Sequence, residues 1–358
     1  MTTKEQLVGR GSLPRPKVIE GRYFHDLMGQ PQALQETLAG LEVSDKLRRL
    51  TPVEGKYRRV VLTGMGASLN ALQPLYLSLL ACGTSALLVE TSELIHFLAR
   101  LLDESTLVIA VSQSGKSAET VKLLELPGRK SAVIGVTNGA DSPLATRADA
   151  SLVTRAGTEF SVSCKTYVSA LAALAWLGDL LCGGQAGSAA AELPQAAGLV
   201  DEYLRGWQKH TNTLMTELEG VRDLFFLGRG SSLAAAMNSG LITKESTRFH
   251  SEGMSSAAFR HGPFEMVGGQ VFALVYEGDA QVERLNRGLV EDIRKAGGRA
   301  FLCGPHADLQ AFQLPPVPAS VRPILEILPT QMITLALAAL TGIEAGKFRK
   351  ATKVTEKE

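Results

Sequence analysis

The sequence predicts an α/β chain built of two successive copies of one unit, each a parallel sheet with helices on both faces in three α/β/α layers. Two observations carry this. The first is a duplication: RVVLTGMGASLNAL (Arg59–Leu72) and DLFFLGRGSSLAAA (Asp223–Ala236) both run a short apolar strand into G-x-G-x-S and then a helix. Gly64, Gly66 and Ser68 pair with Gly228, Gly230 and Ser232 at a constant offset of 164 residues. Self-similarity at a fixed offset decides architecture before any motif does. The second is the alternation, within each copy, of strand-like runs of about five residues with helical patterns, the signature of a parallel sheet.

Taken in chain order, FHDLMGQPQALQETL (Phe24–Leu38) reads as a helical arm within 1–45, ahead of a first domain at 46–185. After the strand at Arg59, LVIAVSQSG (Leu107–Gly115) overlays VFALVYEGD (Val271–Asp279) at the same offset, and SAVIGVTN corresponds to RAFLCGPH. Each copy closes on an apolar helix, near Tyr167–Cys182 and Ile324–Leu340. Asp179 interrupts the first, and Glu326, Pro329 and Gln331 the second, so both are predicted to be buried helices and not membrane spans. The segment from Gly183 to Pro194, rich in Gly, Ala and Ser, is expected to be a linker, with a helical pattern beyond it to about Glu219. The second domain is placed at 195–345, and a lysine-rich tail without apolar periodicity at 346–358.

A length of 358 residues suits two domains, and 45% hydrophobic with 20% charged residues suits a soluble globular chain with a sizeable core. The formal charge of +1 provides no field for nucleic acid or an acidic membrane. Cys82, Cys164, Cys182 and Cys303 form no C-x-x-C pair, so neither a disulfide framework nor a zinc site is expected. The opening MTTKEQLVGRGSLPRPK has no apolar h-region, and a cytoplasmic setting is expected. His25, His96, His210, His250 and His306 show no metal-ligand spacing such as H-E-x-x-H, and no metal or other cofactor is expected.

The stretch TLVIAVSQSGKSAETVKLL (Thr106–Leu124) is the most telling for chemistry. Its Gly-Lys-Ser is not a nucleotide P-loop, because Ala110 stands where G-x-x-x-x-G-K-[ST] needs glycine. In an open parallel sheet, ligands sit beyond the carboxyl ends of strands, beside helix N-termini. Ser112, Gln113, Ser114 and Ser117 would be donors there, helped by main-chain N–H groups and the helix dipole, while Gly115 permits close approach. Ser68 stands at the mouth of a neighbouring helix. A phosphate fits such a place without an arginine; an ordinary serine N-cap is the alternative. The second copy has Tyr276, Glu277 and Gly278 at the corresponding positions, and a carboxylate there repels an anion. GMGASL and GRGSSL carry leucine in place of the third glycine, which excludes a dinucleotide fingerprint.

SQSGKSAET, AGTEFSV, LGRGSS, KESTRFHSEGMSSAAFRHGP and the terminal KVTE together resemble the sugar isomerase (SIS) family, over about Phe24 to Glu356. The likeness is nearest to the isomerase half of glucosamine-6-phosphate synthase, stand-alone phosphosugar isomerases and aminosugar-phosphate deaminases. It implies two tandem flavodoxin-like SIS domains and a homodimer whose active sites are completed across the interface. Ser68, Ser112, Gln113, Ser114 and Ser117 would then hold the substrate's phosphate. Glu245 would move a proton between C1 and C2, His261 of the partner subunit would assist ring opening, and Lys353 would contact the open-chain carbonyl, with which it can form an imine. A backbone contact near Val162 is also implied.

Those residue types suit aldose–ketose chemistry in their own right. A partly buried carboxylate can shuttle a C–H proton, histidine can protonate a ring oxygen near neutrality, and lysine can neutralise an enolate or add to a carbonyl. Each also has a plainer alternative: Glu245 as a helix-face carboxylate paired with Arg248, His261 as a turn residue before Gly-Pro, Lys353 as a solvated tail lysine. Arg229 and Arg260 are expected in structural ion pairs. Against the synthase pattern, Ala67 replaces threonine, Lys116 an acidic residue and Ile242 a lysine, and SVSCKTY (Ser161–Tyr167) is one residue shorter. The loss at Ile242, with no glutaminase segment, speaks against full amination. The expected function is an isomerase, or a deaminating isomerase, of a hexose or aminohexose 6-phosphate. The rival from another class is a non-catalytic sugar-phosphate sensor.

Overall fold

Nine strands supply the frame of the computed structural model, which describes residues 19–184, 189–350 and 352–354. β1 (Arg59–Gly64), β2 (Ala86–Glu90), β3 (Thr106–Val111), β4 (Ala132–Thr137) and β5 (Ala150–Val153) form one sheet, and β6 (Asp223–Gly228), β7 (Ser251–Ser255), β8 (Val271–Tyr276) and β9 (Arg299–Cys303) a second. All neighbours run parallel, in the orders β2-β1-β3-β4-β5 and β7-β6-β8-β9. The first is the flavodoxin-like order, and the second repeats it without the fifth strand. β3 and β8 read as unbroken apolar runs because every one of their residues is buried, as expected of central parallel strands covered on both faces.

The helices that matter for the site are α1 (Arg22–Met28), α2 (Gln30–Gly40), α3 (Ala67–Ala71), α4 (Ala118–Glu125), α5 (Lys165–Leu181), α6 (Pro194–Arg205), α7 (Trp207–Leu218), α8 (Leu233–Thr247), α9 (Ala280–Lys295) and α10 (Leu328–Thr341). The helical arm is present as α1 and α2, separated at Gly29. α5 and α10 are the two closing apolar helices. The residues of α10 from Leu328 to Ala339 are all buried, and within the apolar stretch Arg322–Thr341, long enough to cross a membrane, the most apolar 18-residue window is 89% buried inside the protein.

The expected linker carries a short helix, Ala189–Glu192, in which Ala189 is buried and Ala190 and Ala191 are exposed, with buried Leu193 following it; residues 185–188 of that segment lie outside the described residues. The helical pattern beyond it is two helices, α6 and α7, meeting at Gly206. A single apolar cluster joins both halves, running through Leu34, Leu62, Leu177, Leu214, Phe226 and Ile333. α2 reaches α10 through a reciprocal amide pair: Gln30 donates to Gln331 at 2.9 Å and Gln331 to Gln30 at 2.8 Å. The four cysteines are free thiols.

Candidate active site

In the first sheet, neighbouring β1 and β3 lead to opposite sides of the strand order, which makes the gap beyond their carboxyl ends the topological switch point. Two sequence-predicted pieces meet there: Ser68 in α3, after β1, and Ser112–Ser117, between β3 and α4. The second loop is tightly set. Gly115 has φ +64°, its N–H donates to Ser112 O at 3.1 Å and its carbonyl accepts from Leu144 N at 3.0 Å. A Cβ on Gly115 would overlap Ser142 Oγ and lie 2.7 Å from Thr137 Oγ1, so only glycine fits. Ser117 is the N-cap of α4, yet its hydroxyl bonds Thr120 Oγ1 at 2.8 Å and caps no main-chain N–H. The orphan amides of the first helical turn thus keep their capacity for an outside acceptor.

One cleft is lined by Ser68, Ser112, Gln113, Ser114 and Ser117 from the first half and by Leu241, Glu245, Phe348 and Lys353 from the second. α8 leaves β6 and passes the mouth of β1, which brings Glu245 into the cleft. Burial pushes the Glu245 carboxyl up to about 7; Lys353 pulls it down and Glu159 pushes it further up. Arg248 does not pair with Glu245; its guanidinium donates to Lys347 O at 3.3 Å. Lys353 is not a solvated tail lysine. Its Nζ donates to Glu159 Oε2 and to Ser161 O, each at 2.5 Å.

Of the predicted residues, His261 is not brought to this cleft: it sits on an exposed turn after Ser256–Phe259. The side chain of Val162 is fully buried in the apolar core, and its neighbours Ser161 and Ser163 line the cleft. Ser161 Oγ is buried with no partner among the described residues. Ile242 is also in the core, fully buried, and Lys116 is exposed. Arg260 forms the expected ion pair, with Asp292 at 2.7 Å, whereas Arg229 donates to the neutral Asn286 at 3.3 Å.

Two contributors lay beyond sequence reasoning. Glu159, 5% exposed, accepts from Cys164 N, Thr166 N and Thr166 Oγ1 at 2.9, 3.1 and 2.6 Å as well as from Lys353. Asp26 of α1 accepts from Phe160 N at 2.6 Å and pairs with Lys165 at 2.9 Å, which fixes the loop carrying Glu159 and Ser161. Glu159 lies within the quoted AGTEFSV, but nothing local announces a partner so far along the chain.

The equivalent place in the second sheet is occupied from within. Glu277, 3% exposed, takes Arg287 at 2.6 Å and His306 Nδ1 at 2.7 Å; Asp279 pairs with Arg322; Glu326 accepts from Ser232 Oγ at 2.6 Å. Glu277, Glu283 and His306 bring possible ligand atoms within 4.8 Å of one another. Arg287 bridges the two carboxylates, at 2.6 and 2.7 Å, so a guanidinium already supplies the positive charge.

Fold and cleft define a parallel α/β protein with a hydroxyl-lined site at the switch point of one sheet. Residues 56–178 match the family model described as SIS domain. It is 31% identical over 353 residues to the isomerizing glutamine–fructose-6-phosphate aminotransferase of Pyrococcus horikoshii, covering 93% of this chain and 58% of that protein. The chain therefore spans little more than half the length of the curated relatives it matches. The fold is shared with the C-terminal domain of glucosamine-fructose-6-phosphate aminotransferase from Francisella tularensis (TM-score 0.79, 20% identity, 91% of this chain and 98% of that one). It is likewise shared with glucosamine-6-phosphate deaminase from Thermotoga maritima (TM-score 0.77, 18% identity, 94% and 100%).

Proposed function

We propose that the chain is a phosphosugar isomerase acting on a hexose or aminohexose 6-phosphate by proton transfer between C1 and C2, with deamination where C2 bears an amine. The observation that carries the reading is a carboxyl group near neutral pKa, Glu245, in the same cleft as a lysine cation and a loop of small hydroxyls. The phosphate would rest on Ser68, Ser112, Gln113, Ser114 and Ser117, held by hydroxyls and main-chain amides. Binding energy from that distant group would fix the reacting carbons beside Glu245. Glu245 would take the proton from one carbon and return it to the next, a task suited to a carboxylate near neutrality. Lys353 would face the carbonyl oxygen, where negative charge develops.

His261 would enter from a second copy of the chain, protonating the ring oxygen as the sugar opens. The protein would thus be a homodimer of two tandem SIS domains, divided near the segment after α5, and a reducing cytoplasm suits its free thiols. The names of the relatives, a fructose-6-phosphate aminotransferase and a glucosamine-6-phosphate deaminase, point to the same substrate class. The test is C1/C2 proton exchange followed by NMR on fructose, glucose and glucosamine 6-phosphates, with ammonium release measured for the last. Glu245→Gln should lower exchange by about a hundred-fold or more, the scale of general acid–base catalysis. Undiminished exchange would remove Glu245 from the mechanism, and tight binding without turnover across the panel would favour the sensor.

A further inference from the structure

We propose that Glu159 is a positioning residue that holds Lys353 over the cleft as an ammonium, so that the lysine meets the sugar's carbonyl oxygen as a fixed positive charge and not as a free amine. The inference rests on the isomerase reading for its chemistry and on the geometry alone for the tether.

The Glu159 side chain is fully buried, and its partners among the described residues are all donors: two main-chain amides, one hydroxyl, the Cys164 thiol and the lysine. A carboxylate so surrounded accepts throughout. Lys353 lies 2.5 Å from it and spends a second N–H on Ser161 O at 2.5 Å. An ammonium has three donors, so one remains for a ligand in the cleft that Lys353 lines. Taking the lysine's charge away would leave Glu159 buried without its counter-ion, which is strongly unfavourable. The pair therefore presents a cation to the cleft.

The same bond sets where the tail lies. Gly346 N donates to Ser246 O at 3.0 Å and Lys347 O accepts from Arg248, which fixes the tail as it leaves the second half. Further along, among the described residues, the hydrogen bonds that tie Phe348–Val354 to the rest of the protein are those of Lys353. Glu159 sits on the loop after β5, in the first half. The salt bridge consequently closes the tail across the cleft from one half to the other.

The experiment uses the full chain and three variants: Glu159→Gln, Lys353→Met and Lys353→Arg. Amide hydrogen exchange across 346–354 reads the tether without any turnover. It should quicken on the order of ten-fold in Glu159→Gln and in Lys353→Met, as expected when a charge-assisted bond is lost; unchanged exchange in both overturns the tether. Should Glu159→Gln fail to fold, Lys353→Met reads the same bond from its other end. For the charge, Lys353→Arg should keep measurable C1/C2 exchange, lowered about ten-fold, while Lys353→Met falls about a hundred-fold or more. Glu159→Gln should lower kcat more than it raises KM, with part of the loss recovered in Glu159→Asp. Borohydride added with fructose 6-phosphate should leave Lys353 unmodified by mass spectrometry; an adduct there, or Lys353→Arg as inactive as Lys353→Met, overturns the charge assignment. A wild-type chain that turns over no sugar phosphate would sink the isomerase reading, while hydrogen exchange still judges the tether.

Discussion

Glu245 carries opposed demands. The fold prefers its carboxyl neutral, since burial pushes it from the ordinary 4.5 to about 7. A group raised in this way contributes stability that is fully present below about pH 4.5 and is lost as pH rises through about 7. Glu326, fully buried, is raised to about 7 as well and acts in the same direction. The melting temperature should accordingly be lower at pH 8.5 than at pH 6. Glu245→Gln should be more stable than the parent at pH 8.5, by on the order of 2 kcal/mol after allowance for partial exposure, with the Glu326 share of the pH dependence remaining. Thermal unfolding of both proteins at the two pH values checks this. Catalysis runs the other way: a base must be ionised, so kcat/KM should rise with pH through about 7. A profile flat from pH 6 to 8 would take Glu245 out of the base role. The residues that sequence reading reached, Ser112–Ser117, Glu245 and Lys353, all belong to compact local patterns. Glu159 and Asp26 escaped sequence reading because their partners, Lys353 and the loop at Phe160, lie far along the chain from them.

Among the elements, the loop between β3 and α4 is the one whose shape depends most on a single residue. Gly115→Ala combines a left-handed φ with overlap onto Ser142 Oγ, and should destabilise by about 1–3 kcal/mol while weakening phosphosugar binding. Urea unfolding and calorimetric titration would measure both; an unaltered dissociation constant would separate this loop from the ligand. The strands show which patterns announce themselves. β3 and β8 were plain from their unbroken apolar runs. β2 is only half-buried, β5 has four residues, and β7 is SEGMS, with no apolar run to notice. β7 is tolerated because it lies close beneath α8: a Cβ on Gly240 would strike the main chain of Gly253. A contact of that kind belongs to the folded pair and leaves no periodicity in either segment.

At the scale of the whole molecule, two parallel sheets of like strand order provide two switch points, and the second is filled with the protein's own charges. Glu277, Asp279 and Glu326 each have internal partners where the first sheet keeps its hydroxyls open. The two parallel sheets were legible in sequence; that a single core joins them was not, since the joining helices carry no mark of what they pack against. His261 is exposed and does not line the cleft with Glu245; in the proposed dimer it would reach that cleft from a second copy of the chain. Mixing the inactive variants His261→Ala and Glu245→Gln, then unfolding and refolding them together, should restore about a quarter of the parent activity if each site draws one residue from either subunit of a two-fold dimer. No recovery would place both residues in one chain or His261 outside the reaction.

The glutamine pair between α2 and α10 has a bearing on how the protein is made. Gln30 precedes Gln331 by 301 residues, so the amide that completes the arm's buried bonding does not exist until the ribosome has passed α10. A nascent chain halted after α5 would carry its first sheet with one face of α2 unmatched, exposed to whatever apolar surface it meets. Completion of this buried contact thus waits on translation of α10.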